Sequence, residues 1–154
     1  MNIRLADKRD IGALVGFNRA MALETEGKAL EAKVLSTGVQ AVFEDEHKGF
    51  YIAAEMDEAV VGGLLVTFEW SDWRNGWFWW IQSVYILPEF RGRAIYSRMY
   101  DFVKALADER GDVCGFRLYV EHDNLHAQRV YEKLGMNRSH YLAYEEEKMK
   151  AGIP

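Results

Sequence analysis

The sequence predicts a mixed α/β (α+β) fold: a mostly antiparallel central sheet with helices on both faces. Three observations carry that expectation. Asn75-Gly76, set between two runs rich in β-branched and aromatic residues, is the strongest hairpin signal and makes the middle strands antiparallel. Between residues 77 and 121 a strand, an amphipathic helix and a second strand follow one another, the pattern of a right-handed parallel crossover. Finally, the 154 residues contain no repeat, low-complexity tract or Pro/Gly linker, which predicts one continuous domain over 1–154.

Taken in order, Ile3 to Ala6 reads as a short strand, and Asp7 as the cap of a helix striped by Ile11, Leu14, Val15 and Met21. A second helical piece runs from about Lys28 to Leu35, and a third carries Val39, Val42 and Phe43. Phe50 to Met56 and Val60 to Trp70 alternate as strands about an Asp57-Glu58 turn, and Trp77 to Leu87 completes the hairpin before Pro88 ends it. A helix from Ala94 to about Arg110 presents Ile95, Met99, Phe102, Val103 and Leu106 on one face and is closed by Gly111. Phe116 to Glu121 is a strand, Asn124 to Leu134 a helix stopped by Gly135, and Ser139 to Glu146 a last β-prone segment.

Hydrophobic residues at 49% and charged residues at 28% describe a globular chain with material for one core. The net charge of −5 argues against a general nucleic-acid binder, and no apolar run reaches the ~20 residues of a membrane span. The N-terminus has no apolar signal core, so the cytoplasm is the expected location. A single cysteine, Cys114, excludes an internal disulfide and is expected to be a buried, inert thiol.

The chemistry concentrates in Ser83-Val84-Tyr85-Ile86-Leu87-Pro88-Glu89-Phe90-Arg91-Gly92-Arg93-Ala94-Ile95-Tyr96. A strand ends, a turn rich in Arg and Gly follows, and an amphipathic helix begins. A helix N-terminus offers unpaired N–H groups and a positive dipole end, so such a turn cradles phosphate, with Arg91 and Arg93 adding charge. Neither the Gly-x-x-x-x-Gly-Lys-Ser/Thr nor the Gly-x-Gly-x-x-Gly pattern is present. The stretch resembles motif A of the GNAT superfamily of acyl-CoA-dependent N-acetyltransferases, Arg/Gln-x-x-Gly-x-Gly/Ala. Arg91 matches its first position, while Ala94 stands where the family has Gly and Tyr96 where it has Gly or Ala. A second segment, Asn124-Leu125-His126-Ala127-Gln128-Arg129-Val130-Tyr131-Glu132-Lys133-Leu134-Gly135-Met136, resembles the family's Asn-x-x-Ala-x-x-x-Tyr-x-x-x-Gly-Phe/Met run. The resemblance covers the chain from about Phe50 to Tyr144.

That resemblance implies an acetyltransferase using acetyl-CoA as co-substrate and an amine as acceptor, without a metal. It implies a splayed strand at 84–87 whose main chain, at Val84 and Ile86, pairs with the pantetheine arm, and an Ile86 N–H that polarises the thioester carbonyl. Arg91, Gly92, Arg93, Ala94, Ile95, Tyr96 and Ser97 are expected to hold the pyrophosphate, with Asn124 also on the cofactor. Tyr131 matches the tyrosine that protonates the leaving thiolate; its ordinary pKa of about 10 keeps it protonated at pH 7. Asn124, Ala127 and Tyr131 share one helix face, yet Ala127, Val130, Tyr131 and Leu134 also make an ordinary buried stripe. The departures at Ala94 and Tyr96 put the cofactor affinity in question.

No general base stands out: Glu24 and Glu26 sit in the helical region that the resemblance implies beside the acceptor site, Glu69 lies near a strand end and Glu121 follows another strand, and each reads first as a solvated carboxylate, with water as the alternative relay. Trp70, Trp73, Trp77, Phe78, Trp79 and Trp80 make both faces of the hairpin aromatic, which suits a core on one side and an acceptor wall or a homodimer interface on the other. His122 and His126 are a near miss to a metal-binding helix pair and lack a third ligand, so no metal is expected. Two other readings compete with the enzyme. One is a non-catalytic acyl-CoA-binding sensor or interaction domain, and the other is a general nucleotide-binding α/β domain, which would bind ATP as tightly as CoA.

Overall fold

The structure, a computed structural model, describes residues 1–148. Its elements are β1 (Asn2–Leu5), α1 (Ile11–Glu26), α2 (Ala32–Glu44), β2 (Phe50–Met56), β3 (Ala59–Ser71), β4 (Gly76–Ile86), α3 (Ile95–Arg110), β5 (Val113–Leu118) and α4 (Leu125–Lys133), with 3-10 turns at Lys8–Asp10 and Pro88–Phe90. The five strands form one sheet in chain order, antiparallel throughout except for the parallel β4–β5 pair. This is the mixed, mostly antiparallel sheet that the sequence predicts. Packing divides the chain into two compact units, Met1–Tyr119 and the residues from Val120 onward. No helix among the described residues is long and apolar enough to cross a membrane.

In the first unit helices cover both faces of the sheet. A Cβ at Gly63 would touch Leu14 of α1 at 3.0 Å, so Gly63 lies on the face that α1 covers. Leu14, Phe17, Val39, Tyr51 and Tyr85 form the core there. On the opposite face Tyr100 of α3 meets Phe116 of β5 edge to ring, with centroids 5.7 Å apart. Trp79, Leu64, Met99 and Val103 are no more than 2% exposed.

Several sequence expectations are corrected. The two helical pieces at 28–35 and 39–43 are one helix, α2, capped by the Glu31 carboxylate on the Val34 N–H; left-handed Gly27 (φ 63) ends α1 before it. Asp7 caps the 3-10 turn ahead of α1, not α1 itself. The hairpin after β3 turns through residues 72–75, with Asn75 left-handed (φ 49) and Gly76 the first residue of β4. Gly76 is small because a Cβ there would meet the Asp112 carbonyl oxygen at 3.1 Å. β5 begins at Val113 rather than Phe116. Gly115, a poor strand residue in isolation, is needed inside it because the Phe78 ring occupies its side-chain space, 2.7 Å from where a Cβ would sit. Cys114 is exposed rather than buried, since it lies near the start of the edge strand. Ser139–Glu146 forms no strand: its alternation finds no ladder to join, and Tyr141, Leu142 and Tyr144 are exposed.

The N-terminal strand is locked by charge. Arg4 donates to both carboxylate oxygens of Asp10 (2.8 and 3.0 Å) and to Glu55 (2.7 Å), while Asp10 also accepts from the Asp7 N–H at 2.8 Å. Asp10 is 4% exposed, and the Arg4 guanidinium holds its carboxyl below the usual carboxylate range. A lowered folded value means that the unfolded chain takes up the proton first. The contribution is therefore complete above the ordinary carboxylate pKa of about 4 and is lost as pH falls through the lowered folded value. Asp10→Asn should cost about 2 kcal/mol in urea unfolding at pH 7, and its gap from the wild type should narrow steadily below pH 4.

Candidate active site

The sheet opens into a fork at one end of β4. Pairing between β4 and β5 stops at Ile81 and Leu118, whereas β4 continues to Ile86 against β3 alone. Within that extension β4 carries an extra residue. Gln82 lies opposite Leu65 and Tyr85 opposite Gly63, three steps against two, and Ser83 takes a left-handed φ of 54°. This is a β-bulge, which bends its strand and shifts the alternation by one. Gly62 and Gly63 face it closely: a Cβ at Gly62 would stand 3.0 Å from the Tyr85 carbonyl oxygen.

The bulge sets where the main chain points. The Leu87 N–H donates to the Val61 carbonyl at 2.9 Å, so by the two-residue alternation the N–H and C=O of Ile86 turn away from β3 towards the open edge. The Ile86 carbonyl is met there by Arg91, whose Nε donates to it at 2.8 Å. Val84, half-buried, directly follows the left-handed Ser83.

Beyond β4 the chain makes the Pro88–Phe90 turn, passes through extended Arg91, left-handed Gly92 (φ 77) and left-handed Ala94 (φ 59), and enters α3 at Ile95. Arg98 donates the first bond back, to the Ala94 carbonyl, and Ala94 supplies no side-chain cap. The amides of Ile95 and Ser97 thus have no carbonyl within the helix to bond, and they stand at its positive end. Arg93 lies 5.3 Å from the Phe90 ring centroid. Tyr96 does not block the loop: its side chain is 9% exposed and stacks on Tyr100, with centroids 6.2 Å apart and planes 5° from parallel.

A cluster that the sequence reading did not assemble joins α1 to this loop. The Tyr85 hydroxyl donates to Glu24 Oε1 at 2.6 Å, Arg91 Nη2 donates to Glu24 Oε2 at 3.1 Å, and the Arg91 guanidinium lies 5.2 Å from the Tyr85 ring centroid. The Tyr85 and Arg91 hydrogen bonds hold the Glu24 carboxyl below its ordinary value, while burial, then Glu24, pushes the Tyr85 phenol up. In a regular strand Tyr85 would share a face with Trp79 and Ile81. The bulge carries it to the α1 side, where it also meets Phe17 at 5.5 Å. The signal in the sequence was slight: a serine where the strand must turn left-handed.

Of the other carboxylates, Glu69 is taken by Arg117 (2.7 Å) and the Trp80 indole N–H (3.1 Å). Glu26 and Glu121 are exposed. In the hairpin Phe78 and Trp79 are buried, whereas Trp70 and Trp73 are exposed. Arg117 lies 3.6 Å from the Phe78 ring centroid. In the second unit Asn124 Oδ1 caps α4 by accepting the Ala127 N–H at 3.1 Å, and Tyr131 is half-buried, its phenol pushed up by desolvation. Among the described residues no group of three or more His, Cys, Asp or Glu side chains is arranged to hold a metal ion.

The profile of the Acetyltransferase (GNAT) family matches residues 12–136. The crystal structure of a possible acetyltransferase from Clostridium difficile 630 is 42% identical and superposes with a TM-score of 0.89, over 97% of this chain and 98% of that one. A predicted acetyltransferase with acetyl-CoA from Clostridium acetobutylicum shares the fold at 22% identity and TM-score 0.76, over 94% and 95% of the two chains. An aminoglycoside N-acetyltransferase in complex with CoA does so at 14% identity and TM-score 0.78, over 96% and 95%.

The loop carries a measurable strain. A non-glycine residue in the left-handed region costs about 1 kcal/mol, so Ala94→Gly should raise the melting temperature by roughly 2–4 °C in a calorimetric scan, and Ala94→Val should lower it.

Proposed function

The chain belongs to the GNAT acetyltransferase family, and on that premise we propose that it moves the acetyl group of acetyl-CoA onto an amine, with both substrates bound at once. The observation that carries the reading is the fork: β4 pairing with β5 ends at Ile81, and the outward main chain of Ile86 lies on the way to the uncapped start of α3. An extended pantetheine arm adds to the free edge as a strand would, bonding the main chain at Val84 and Ile86. The pyrophosphate sits on the loop from Arg91 to Ser97, where left-handed Gly92 and Ala94 bring amides together and the α3 dipole favours negative charge. To Asn124 we assign a contact with the cofactor, and to Tyr131 the proton for the leaving thiolate. The likeness to structures holding acetyl-CoA and CoA supports this choice of co-substrate.

In the reaction the amine nitrogen attacks the thioester carbon, forming the C–N bond as the C–S bond breaks. The Ile86 N–H receives the developing oxyanion. Tyr131 gives its proton to the departing thiolate, and the pushed-up phenol is fully protonated at neutral pH for that step. The proton leaving the amine passes to solvent water. Placement of the two reactants supplies much of the acceleration. The burial of Tyr96 against Tyr100 supports the enzyme reading over a non-catalytic binding module, which the absence of an evident general base still favours.

Calorimetric titration tests the cofactor. Acetyl-CoA should bind and ATP should not; equal binding of both would favour a general nucleotide domain. In a thiol-release assay Tyr131→Phe should lower kcat about 100-fold at unchanged acetyl-CoA affinity, and turnover at the wild-type rate would remove Tyr131 as the acid.

A further inference from the structure

Arg91 is claimed twice. Its guanidinium bridges the Ile86 carbonyl (2.8 Å) and Glu24 Oε2 (3.1 Å) and covers the Tyr85 ring at 5.2 Å. All of these partners lie on the fork or on α1, and one planar guanidinium places Glu24 immediately beside the open edge of β4. Given the acetyl-CoA reading above, on which this inference rests, the same side chain is wanted by a pyrophosphate, and the Ile86 carbonyl is wanted by a pantetheine amide. A doubly charged phosphate pair outcompetes a half-exposed carboxylate for a guanidinium.

We propose that Arg91 is a shared arm, held on Glu24 in the free protein and surrendered to the pyrophosphate when acetyl-CoA binds, so that Glu24 becomes the carboxylate that receives the acceptor's ammonium group. When Arg91 leaves, Oε1 keeps the Tyr85 hydroxyl at 2.6 Å, but Oε2 loses its cation and the Tyr85 ring face is uncovered. The Glu24 side chain is 42% exposed, open to an incoming ligand. An ionised carboxylate at the hydroxyl edge of an aromatic ring whose face is uncovered is complementary to a compact cation. The acceptor class is therefore a primary amine that arrives as its ammonium and gives one proton to solvent water before its nitrogen attacks, with no anionic group beside that nitrogen. Because the two ligands share one arm, each strengthens the other's binding by the same factor.

Two titrations test this. Acetyl-CoA should bind Glu24→Gln roughly 3- to 10-fold more tightly than the wild type, because the tether on Arg91 is weakened. Glu89→Gln removes the same charge from an exposed site two residues before Arg91 and should change the affinity less than about 2-fold. Butylamine, used as the ammonium probe with CoA so that no turnover occurs, should bind the CoA-saturated wild type at least about 5-fold more tightly than the free protein, and Glu24→Gln should show no such gain. Unchanged or weaker acetyl-CoA binding in Glu24→Gln, an equal gain in Glu89→Gln, or equal butylamine affinity with and without CoA would each overturn the shared arm while leaving the cofactor assignment intact. A wild-type protein that does not bind acetyl-CoA would overturn both.

Discussion

Between Gly63 and Leu65 of β3, β4 fits in one residue too many, and the left-handed backbone at Ser83 absorbs it. Most features of the site follow from that insertion. It shifts the side-chain alternation, so Tyr85 faces α1 rather than α3. It turns the main chain of Ile86 to the outside of the sheet. It bends the last turn of β4 just beyond the point where β5 stops following it, which leaves the fork. Gly62 on the facing strand is the complement: a Cβ there would crowd the Tyr85 carbonyl and Ile86 of the bulged segment.

The broad architecture was readable because it rests on periodicity and turn chemistry. Asn75-Gly76, the Asp57-Glu58 turn between β2 and β3, and the amphipathic stripe of α3 each act locally. Features that depend on a distant partner were not readable. Gly115 looks like a strand breaker until the Phe78 ring is seen in its place, so β5 was expected three residues late. Ser139–Glu146 alternates like a strand, but a strand is a property of a pair of segments. Within the site, the turn ahead of α3 was legible as Arg91-Gly92-Arg93 before a helix. The Glu24–Tyr85–Arg91 cluster was not, because alternation counted without a bulge puts Tyr85 on the wrong face.

Residue identity and backbone conformation part company in the loop. The position where the family carries glycine holds Ala94, and the backbone is left-handed there all the same (φ 59). Alanine adopts that angle at a modest local cost. Tyr96 shows the converse: a bulky residue in the first turn of α3 is accommodated by burial, stacked on Tyr100.

The fork also makes the sheet incomplete as a sheet. Up to Ile81 every central strand has two neighbours; from Gln82 to Ile86, β4 has only one. A ligand lying along that edge acts as the missing rung, so the free energy of filling the fork adds directly to the free energy of keeping β4 folded. At a ligand concentration of 100 Kd that addition is about 2.7 kcal/mol, a sizeable part of the whole stability of a domain this small. For this architecture, occupancy and folding are two readings of one equilibrium.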